Sequence, residues 1–357
     1  MILIFFGRVG YTMVLTPKQC QEIKEALDKS VRPLFIHDDD PDGTCAFLLL
    51  YRYKKEGKGF PLKTRPLVDE GMLTYVHEYQ PDLIFILDIP NVLQGFLDKV
   101  SCPVIWIDHH GVQDRKGVWY YNPRKNDPED TSSTTINTFY VVQNPDDLWI
   151  AMVGGVGDWQ LPPFLPEFCT QYPKLLKATV KRPQDALFGS RLGELIKLIS
   201  FLLKGRTSDV KRNIKILTRI KDPYEILEGT TSQGRFLLKN AMHAKKEYDV
   251  LLAEAKKKAG RDKFFIFTYS ADRTSYTKEL SNELLYLYPS KIIIVGRVKS
   301  EEYKLSLRSS KKKIPPALEK ALTGVEGYGG GHDLACGAAI KEKDWEVFLA
   351  QFKEAMA

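Results

Sequence analysis

The sequence predicts an α/β protein: a parallel sheet flanked by helices, then a helical connector, then a smaller α/β domain, with a cleft between the two domains. Three observations lead there. From Thr16 to about Ser190, short apolar runs alternate with helix-like segments, the pattern of strands joined by helical crossovers. From Arg191 to Gly260 the apolar residues recur only at three- and four-residue spacing. From Asp262 onward strand-like runs return. The expected boundaries are 13–190, 191–260 and 261–357.

Taken in order, Thr16-Pro17 before KQCQEIKEALDKS predicts an N-capped amphipathic helix. Pro33 to His37 is a short apolar strand, and Gly43 to Lys54 has helical character. LIFIL (83–87) and VIWI (104–107) are buried strands, and Asp146 to Gly157 is an apolar helix entering a loop. The connector holds ELIKLISFLLKG, SDVKRNIKILTRI and a long helix ending at Lys256-Lys257-Lys258 before Gly260. Its basic residues read first as a solvated face. In the last part FFIFTYS, KIIIVGRV and YKLSLRSS are strands. SYTKELSNELLYLYP is a helix opened by Ser275, EKDWEVFLAQFKEAM is a final helix, and Lys311-Lys312-Lys313 is a basic loop.

Composition narrows the class. With 43% hydrophobic and 27% charged residues over 357 positions, the chain is neither disordered nor fibrous, and long enough for two cores. The formal charge of +7 suits a polyanionic partner and an ordinary soluble protein alike. Cys20, Cys45, Cys102, Cys169 and Cys336 are scattered without a CxxC pair, which argues against a disulfide framework or structural zinc and suits a reducing compartment. The opening MILIFFGRVGYTM is apolar but lacks a basic start and an A-x-A-like site, so no signal peptide is expected, and Met13 is an alternative start. No run reaches the ~18 apolar residues of a membrane span. A cytoplasmic protein without membrane association is expected.

The segment LFIHDDDPDGTCAF, from Leu34, packs Asp38, Asp39, Asp40 and Asp42 into five positions. Such crowding is costly unless a cation sits among the acids. Asp38, Asp40 and Asp42 are two apart, which in extended chain sets them on one side, with His37 and Asp39 facing away and Pro41 stiffening the turn before Gly43 opens a helix. LIFIL ends at Asp88, VIWI at Asp108-His109-His110 and AMVGGVG at Asp158. Ligands of open α/β sheets bind beyond the carboxyl ends of the strands, so separate segments deliver Asp and His to one edge. Carboxylates and imidazoles without thiolate suit Mn²⁺ or Mg²⁺. Two such ions ~3.5–4 Å apart are a device for in-line displacement at phosphorus. Taken singly, each piece has a bland reading. An Asp after a strand is often a helix cap, Asp-His-His is a short string, and an acidic loop can bind calcium, although 38–47 lacks the EF-hand pattern. The bland readings do not cover the ordered set.

DxDxDG at 38–43, the separate Asp88, IDHH and VGD resemble the four motifs of the DHH phosphoesterase superfamily. SLRSS (306–310) and GYGGGHDLACGAAI (327–340) resemble its DHH-associated substrate-binding domain, marked by GGGH. The resemblance spans nearly the whole chain, is least definite in the connector, and is nearest to RecJ-like nucleases and nanoRNases, the archaeal ones especially. It implies one Mn²⁺ held by Asp38, Asp40 and Asp88, and a second held by Asp42, Asp88, His109 and Asp158, Mg²⁺ being the other candidate ion. It places His110 near the scissile phosphate and Asp108 behind the His pair. Asp38 stands where members acting on very small substrates have His, and His37 is one position off that pattern, so His37 is left out of the ligand set.

In the second domain, Gly329, Gly330 and Gly331 offer backbone N–H groups to an anion, and His332 and Arg308 have donors for phosphate oxygens, with Ser306 in the same motif. Trp159 and Tyr328 are candidates for base stacking, with core packing the equal alternative. The resemblance implies an exonuclease that degrades short or single-stranded RNA or DNA to mononucleotides. Rivals within the superfamily are a small-molecule phosphatase for 3′-phosphoadenosine 5′-phosphate, a cyclic-dinucleotide hydrolase, and a metal-free replication scaffold, which would have lost ligands that this chain keeps. Expected partners are the oligonucleotide, replication or RNA-decay proteins, and a second copy of the chain in a homodimer.

Overall fold

The computed structural model describes residues 15–63, 67–270 and 274–357; the stretch read as no signal peptide, with Met13, lies outside them. Residues through Ala241 form one compact unit and residues from Met242 a second. The first contains α1 (Pro17–Lys29), β1 (Pro33–Asp38), α2 (Pro41–Lys54), β2 (Lys58–Leu62), β3 (Leu67–Val68), α3 (Leu73–Tyr79), β4 (Leu83–Leu87), β5 (Asn91–Val92) and α4 (Gln94–Lys99). It continues with β6 (Val104–Ile107), β7 (Trp119–Tyr121), α5 (Thr134–Val142), α6 (Leu148–Gly157), α7 (Leu165–Gln171), α8 (Pro183–Gly189), α9 (Arg191–Leu202), α10 (Thr207–Leu217) and α11 (Pro223–Glu228). Helix α12 (Ser232–Lys257) starts in the first unit and ends in the second, so the stretch 191–260 divides between the two. The second unit adds β8 (Phe264–Ser270), α13 (Thr277–Leu287), β9 (Ile292–Lys299), β10 (Glu302–Arg308), α14 (Pro315–Ala321), β11 (Gly327–His332), β12 (Ala335–Lys341) and α15 (Trp345–Met356).

The main sheet runs β2-β1-β4-β6-β7, parallel throughout. Its central strands are buried on both faces, as parallel strands covered by helices must be. Leu34, Ile36, Ile84, Ile86, Val104 and Trp106 pack with Val68, Met72 and Phe96 on one side. On the other, Phe35 stacks on Phe85 and meets Phe47 of α2 edge-on. β2 lies on one side of β1 and β4 on the other, so the chain reverses direction across the sheet between β1 and β4, the point beyond whose carboxyl ends open α/β sheets bind ligands. Register then does the placing. His37 pairs with Leu87, Leu87 with Ile107, and Ile107 with Tyr121. The next residues, Asp38, Asp88, Asp108 and Asn122, therefore stand in a row along that edge.

Local chemistry sets the helix starts. Thr16 and Gln19 cap α1 reciprocally. Asp40 caps α2 by accepting from the Gly43 N–H at 3.1 Å, with Pro41 in the first turn. This corrects one expectation: the helix opens at Pro41, not Gly43, so Asp42 sits in its first turn and not in line with Asp38 and Asp40. As the sequence predicts, the apolar run before Asp158 is a helix, α6, and Asp158 follows its last residue. A partly buried Arg52–Asp147 pair at 2.6 Å ties α2 to the start of α6.

In the second unit the sheet order is β11-β12-β10-β9-β8, antiparallel except for β8 with β9. Ile294, Leu307, Ile314, Phe348 and Phe352 centre its core. One expectation changes here. Helix α13 is not capped by Ser275, whose hydroxyl lies 2.6 Å from that of Thr277. The glycine run forms the edge strand β11, Gly327–His332. No helix among the described residues is long and apolar enough to cross a membrane.

Candidate metal centre

Three clusters of ligand atoms form where the sheet edge predicts: Asp38 with Asp40 and Asp88, Asp42 with His109 and Asp158, and Asp88 with His109 and His110, the atoms of each lying within 4.8 Å of one another. Every expected metal ligand is in one of them, and Asp88 and His109 are each shared by two.

Asp42 is held by the start of α5. Its carboxylate accepts from the backbone N–H groups of Thr134 and Thr135, both at 2.9 Å, and the Thr135 hydroxyl donates to its carbonyl at 2.7 Å. A helix N-terminus suits a carboxylate. Asp88 has a left-handed backbone, φ 60°, and accepts from the Thr134 hydroxyl at 3.2 Å. The His109 ring is turned by Thr131, whose carbonyl accepts from Nδ1 at 3.1 Å. Nε2 is left facing Asp88, Asp158 and Asp42 at 3.3, 3.7 and 3.9 Å. A backbone carbonyl on one ring nitrogen is a common way of presenting the other to a metal. Asp108, fully buried, accepts from His110 at both Nδ1 (2.8 Å) and the backbone N–H (3.0 Å). It therefore orients one histidine of the pair, and Thr131 orients the other.

Gln160 joins these supports. Its side chain donates to Asp158 at 3.1 Å and to the Thr131 carbonyl at 2.6 Å, and accepts from the Ser133 N–H at 3.0 Å. Asn122 donates to the His110 carbonyl at 3.0 Å. Sequence reading passed over Thr131, Thr134, Thr135, Gln160 and Asn122. The one signal was a run of five hydroxyl residues, Thr131–Thr135, before an apolar helix, more than a cap requires.

Charge shows what the cluster lacks. Burial, then Asp42, Asp40, Asp38 and Asp158, push the Asp88 carboxyl well above the usual range. Burial likewise raises Asp42, against partial relief from His109. Burial pulls His109 down, but Asp158, Asp42 and Asp108 together outweigh it and raise its pKa. Two like charges ~4 Å apart repel by about 4 kcal/mol at an effective dielectric of ~20. A divalent cation relieves that cost, and the all-oxygen and imidazole donor set fits Mn²⁺ or Mg²⁺. His37 stays outside: fully buried, it stacks on Phe47, and its Nδ1 meets the Asp38 carbonyl. Asp39 turns to Lys63 at 3.6 Å.

Gly43 is required by space. A Cβ there would lie 2.8 and 2.9 Å from the Asp38 backbone N and O. Gly43→Ala is expected to displace Asp40 and Asp42 and so weaken divalent-ion binding at the cluster. Mn²⁺ titration of the folded variant should show weakened binding; wild-type affinity would refute the constraint.

In the second unit the predicted substrate residues separate by exposure. Gly329, Gly330, Gly331 and His332 lie on the exposed strand β11, with Tyr328 70% exposed and so not core. Gly331 has φ 148°, and a Cβ there would be 2.4 Å from the Ala335 carbonyl, so this glycine serves the hairpin. Arg308 donates through Nε to Asn282 at 2.8 Å and to the Leu307 and Cys336 carbonyls. Ser306 is buried, with its hydroxyl 2.8 Å from that of Ser281. Trp159, half-buried, meets Phe188 edge-on.

Residues 264–357 match the DHHA1 domain family. Comparison with curated protein sequences returns no match. Among solved structures, RecJ from Thermus thermophilus, in complex with Mn²⁺, superposes with a TM-score of 0.67 at 17% identity over 97% of this chain, which spans 56% of that protein's length. An exonuclease RecJ bound to manganese gives 0.60 at 15% identity over 97% of this chain and 96% of the other. The DHH domain of a member of a ribosomal-protein family gives 0.68 at 16% identity over 95% of this chain and 89% of the other. The C-terminal unit thus contains a DHHA1 domain, and the fold of the chain is the fold of the RecJ structures.

Proposed function

We propose that this chain is a metal-dependent phosphodiesterase that removes nucleoside monophosphates from short or single-stranded oligonucleotides, with Mn²⁺ as its ion. The observation that carries the reading is the completeness of the ligand set: Asp38, Asp40 and Asp42 from one stretch of chain meet Asp88, His109 and Asp158 from three others. A scaffold has no need of it. Asp38, Asp40 and Asp88 would hold one ion, and Asp42, Asp88, His109 and Asp158 the other. Bound there, two divalent ions supply charge neutralisation at the phosphate and a lowered pKa for the attacking water. The rest falls to the chain. Thr134, Thr135 and Gln160 keep Asp42 and Asp158 from swinging away. Thr131 keeps the His109 Nε2 turned inward. His110, pinned by Asp108 at Nδ1, has its Nε2 left to donate a proton to the leaving oxygen or to steady its charge. Basic and aromatic groups of the DHHA1 domain, Arg308, His332 and Tyr328 among them, are proposed to contact the nucleotide.

The test is a Mn²⁺ time course on 5′-labelled RNA and DNA from dinucleotides to about twenty-mers, beside 3′-phosphoadenosine 5′-phosphate and cyclic di-AMP. Ladders collapsing to mononucleotides are expected. Inert oligomers with rapid turnover of either small molecule would replace the substrate and keep the centre. No turnover at all would overturn the reading.

A further inference from the structure

We propose that an open cavity beside α8 is a subsite for the phosphate backbone of a single strand, several nucleotides from the bond that is cut; it rests on the nuclease reading above. The turns from Pro173 to Arg182, the end of α8 and the first residue of α9 enclose about 960 Å³. Five cations and one acid line it: Lys174, Lys177, Lys181, Arg182 and Arg191 against Asp185. Arg182 is committed to Asp185 at 2.8 and 2.7 Å, and Arg191 to Glu228 at 3.4 Å. Lys174, Lys177 and Lys181 are solvent-facing and make no ion pair among the described residues. Surface lysines are ordinarily only solvated. Here three unpaired ones converge on a concavity, where their charges add and focus an attractive potential for an anion.

The cavity is joined to the metal centre through two packed contacts. Trp159, which follows Asp158, meets Phe188 with ring centres 6.0 Å apart, and Phe188 precedes Gly189 and Ser190 of the cavity wall. Helix α9 starts at the wall with Arg191, and Ile196 lies ~7.5 Å further along it. There a Cβ placed on Gly157 would be 3.6 Å from Ile196 and 3.0 Å from Pro41, which stands between Asp40 and Asp42. The wall and the ligand clusters share no residue, so a strand of several nucleotides is expected to engage both places, and a dinucleotide held at the centre is not.

The test compares wild type with the triple variant Lys174→Gln, Lys177→Gln, Lys181→Gln in EDTA, where no hydrolysis interferes, by anisotropy of labelled oligothymidylates of two, six and twelve nucleotides across a salt series. The twelve-mer is expected to bind the variant about tenfold more weakly at low salt, with a salt slope shallower by about 2, three contacts at ~0.7 each. The loss should shrink as the strand shortens and vanish at the dinucleotide, and a Lys→Arg triple variant should restore binding. No loss, or an equal loss at every length, would overturn the subsite, as would lysine-dependent binding of polyglutamate with none of the strand. Hydrolysis is scored separately: lysine-dependent binding without cleavage would sink the nuclease reading alone, and cleavage without lysine dependence the subsite alone.

Discussion

Asp88→Asn is expected to lower Mn²⁺-dependent hydrolysis about a thousandfold or more while leaving the metal-free fold at least as stable as wild type. Asp88 belongs to two of the three ligand clusters, and in the proposed assignment its charge is the one that the two ions would share. Losing several kcal/mol of transition-state stabilisation, ~4 kcal/mol, is about a thousandfold in rate. Stability should move the other way, because Asp88 is buried among Asp42, Asp40, Asp38 and Asp158, and a neutral amide removes that repulsion. Asn is the informative replacement. The backbone at Asp88 is left-handed, which Asn adopts readily, and its carbonyl oxygen can still accept from Thr134. Asp88→Ala should also be inactive but adds ~1–2 kcal/mol of backbone strain. Activity and thermal unfolding, each with and without Mn²⁺, separate the causes. An Asn variant with full activity would refute the two-metal assignment, and an inactive one that unfolds early would leave the loss to folding.

The acids and histidines of the candidate centre were legible because their chemistry and their strand ends are both local. LIFIL and VIWI are unbroken apolar runs cut short by an acid, which fixes the strand and its terminus together. The remainder of the main sheet was not: β2 is KGFPL, with Gly and Pro in a strand, and β7 is only three residues, WYY, so both depend on pairing with a neighbour already in place. The helix before Asp158 was legible too, because its apolar run is too long for an ordinary strand and ends at a glycine, and α6 spans Leu148–Gly157. Strand β11 escaped notice because glycines weaken a strand; its pairing with β12 and the tight approach at Gly331 make it one. The supports were least legible. Asp42 meets Thr134 and Thr135 across 92 and 93 residues, and only the packing of α2 against α5 joins them.

Mn²⁺ affinity is expected to rise steeply with pH, by about tenfold per unit for each proton the ion displaces. In the metal-free fold Asp88 and Asp42 have pKa values raised above the unfolded carboxylate, through burial first and neighbouring acids second, and His109 is raised above its unfolded value by Asp158, Asp42 and Asp108 despite burial. A group with a raised folded pKa contributes stability that is fully present below its unfolded value and lost as pH climbs through the folded one. All three therefore act in one direction. The metal-free protein should be most stable just below about pH 4 so far as the acids are concerned, and should lose stability upward from there, His109 adding its share above about pH 6.5. A divalent ion replaces those protons, so the increase in melting temperature on adding Mn²⁺ should be larger at pH 8 than at pH 5.5. Protons released on titration can be counted from the dependence of binding heat on buffer ionisation. A shift in melting temperature that is the same at both pH values, with no proton release, would mean that the carboxylates are already ionised before the ion arrives, and the charge argument for a metal among them would fail.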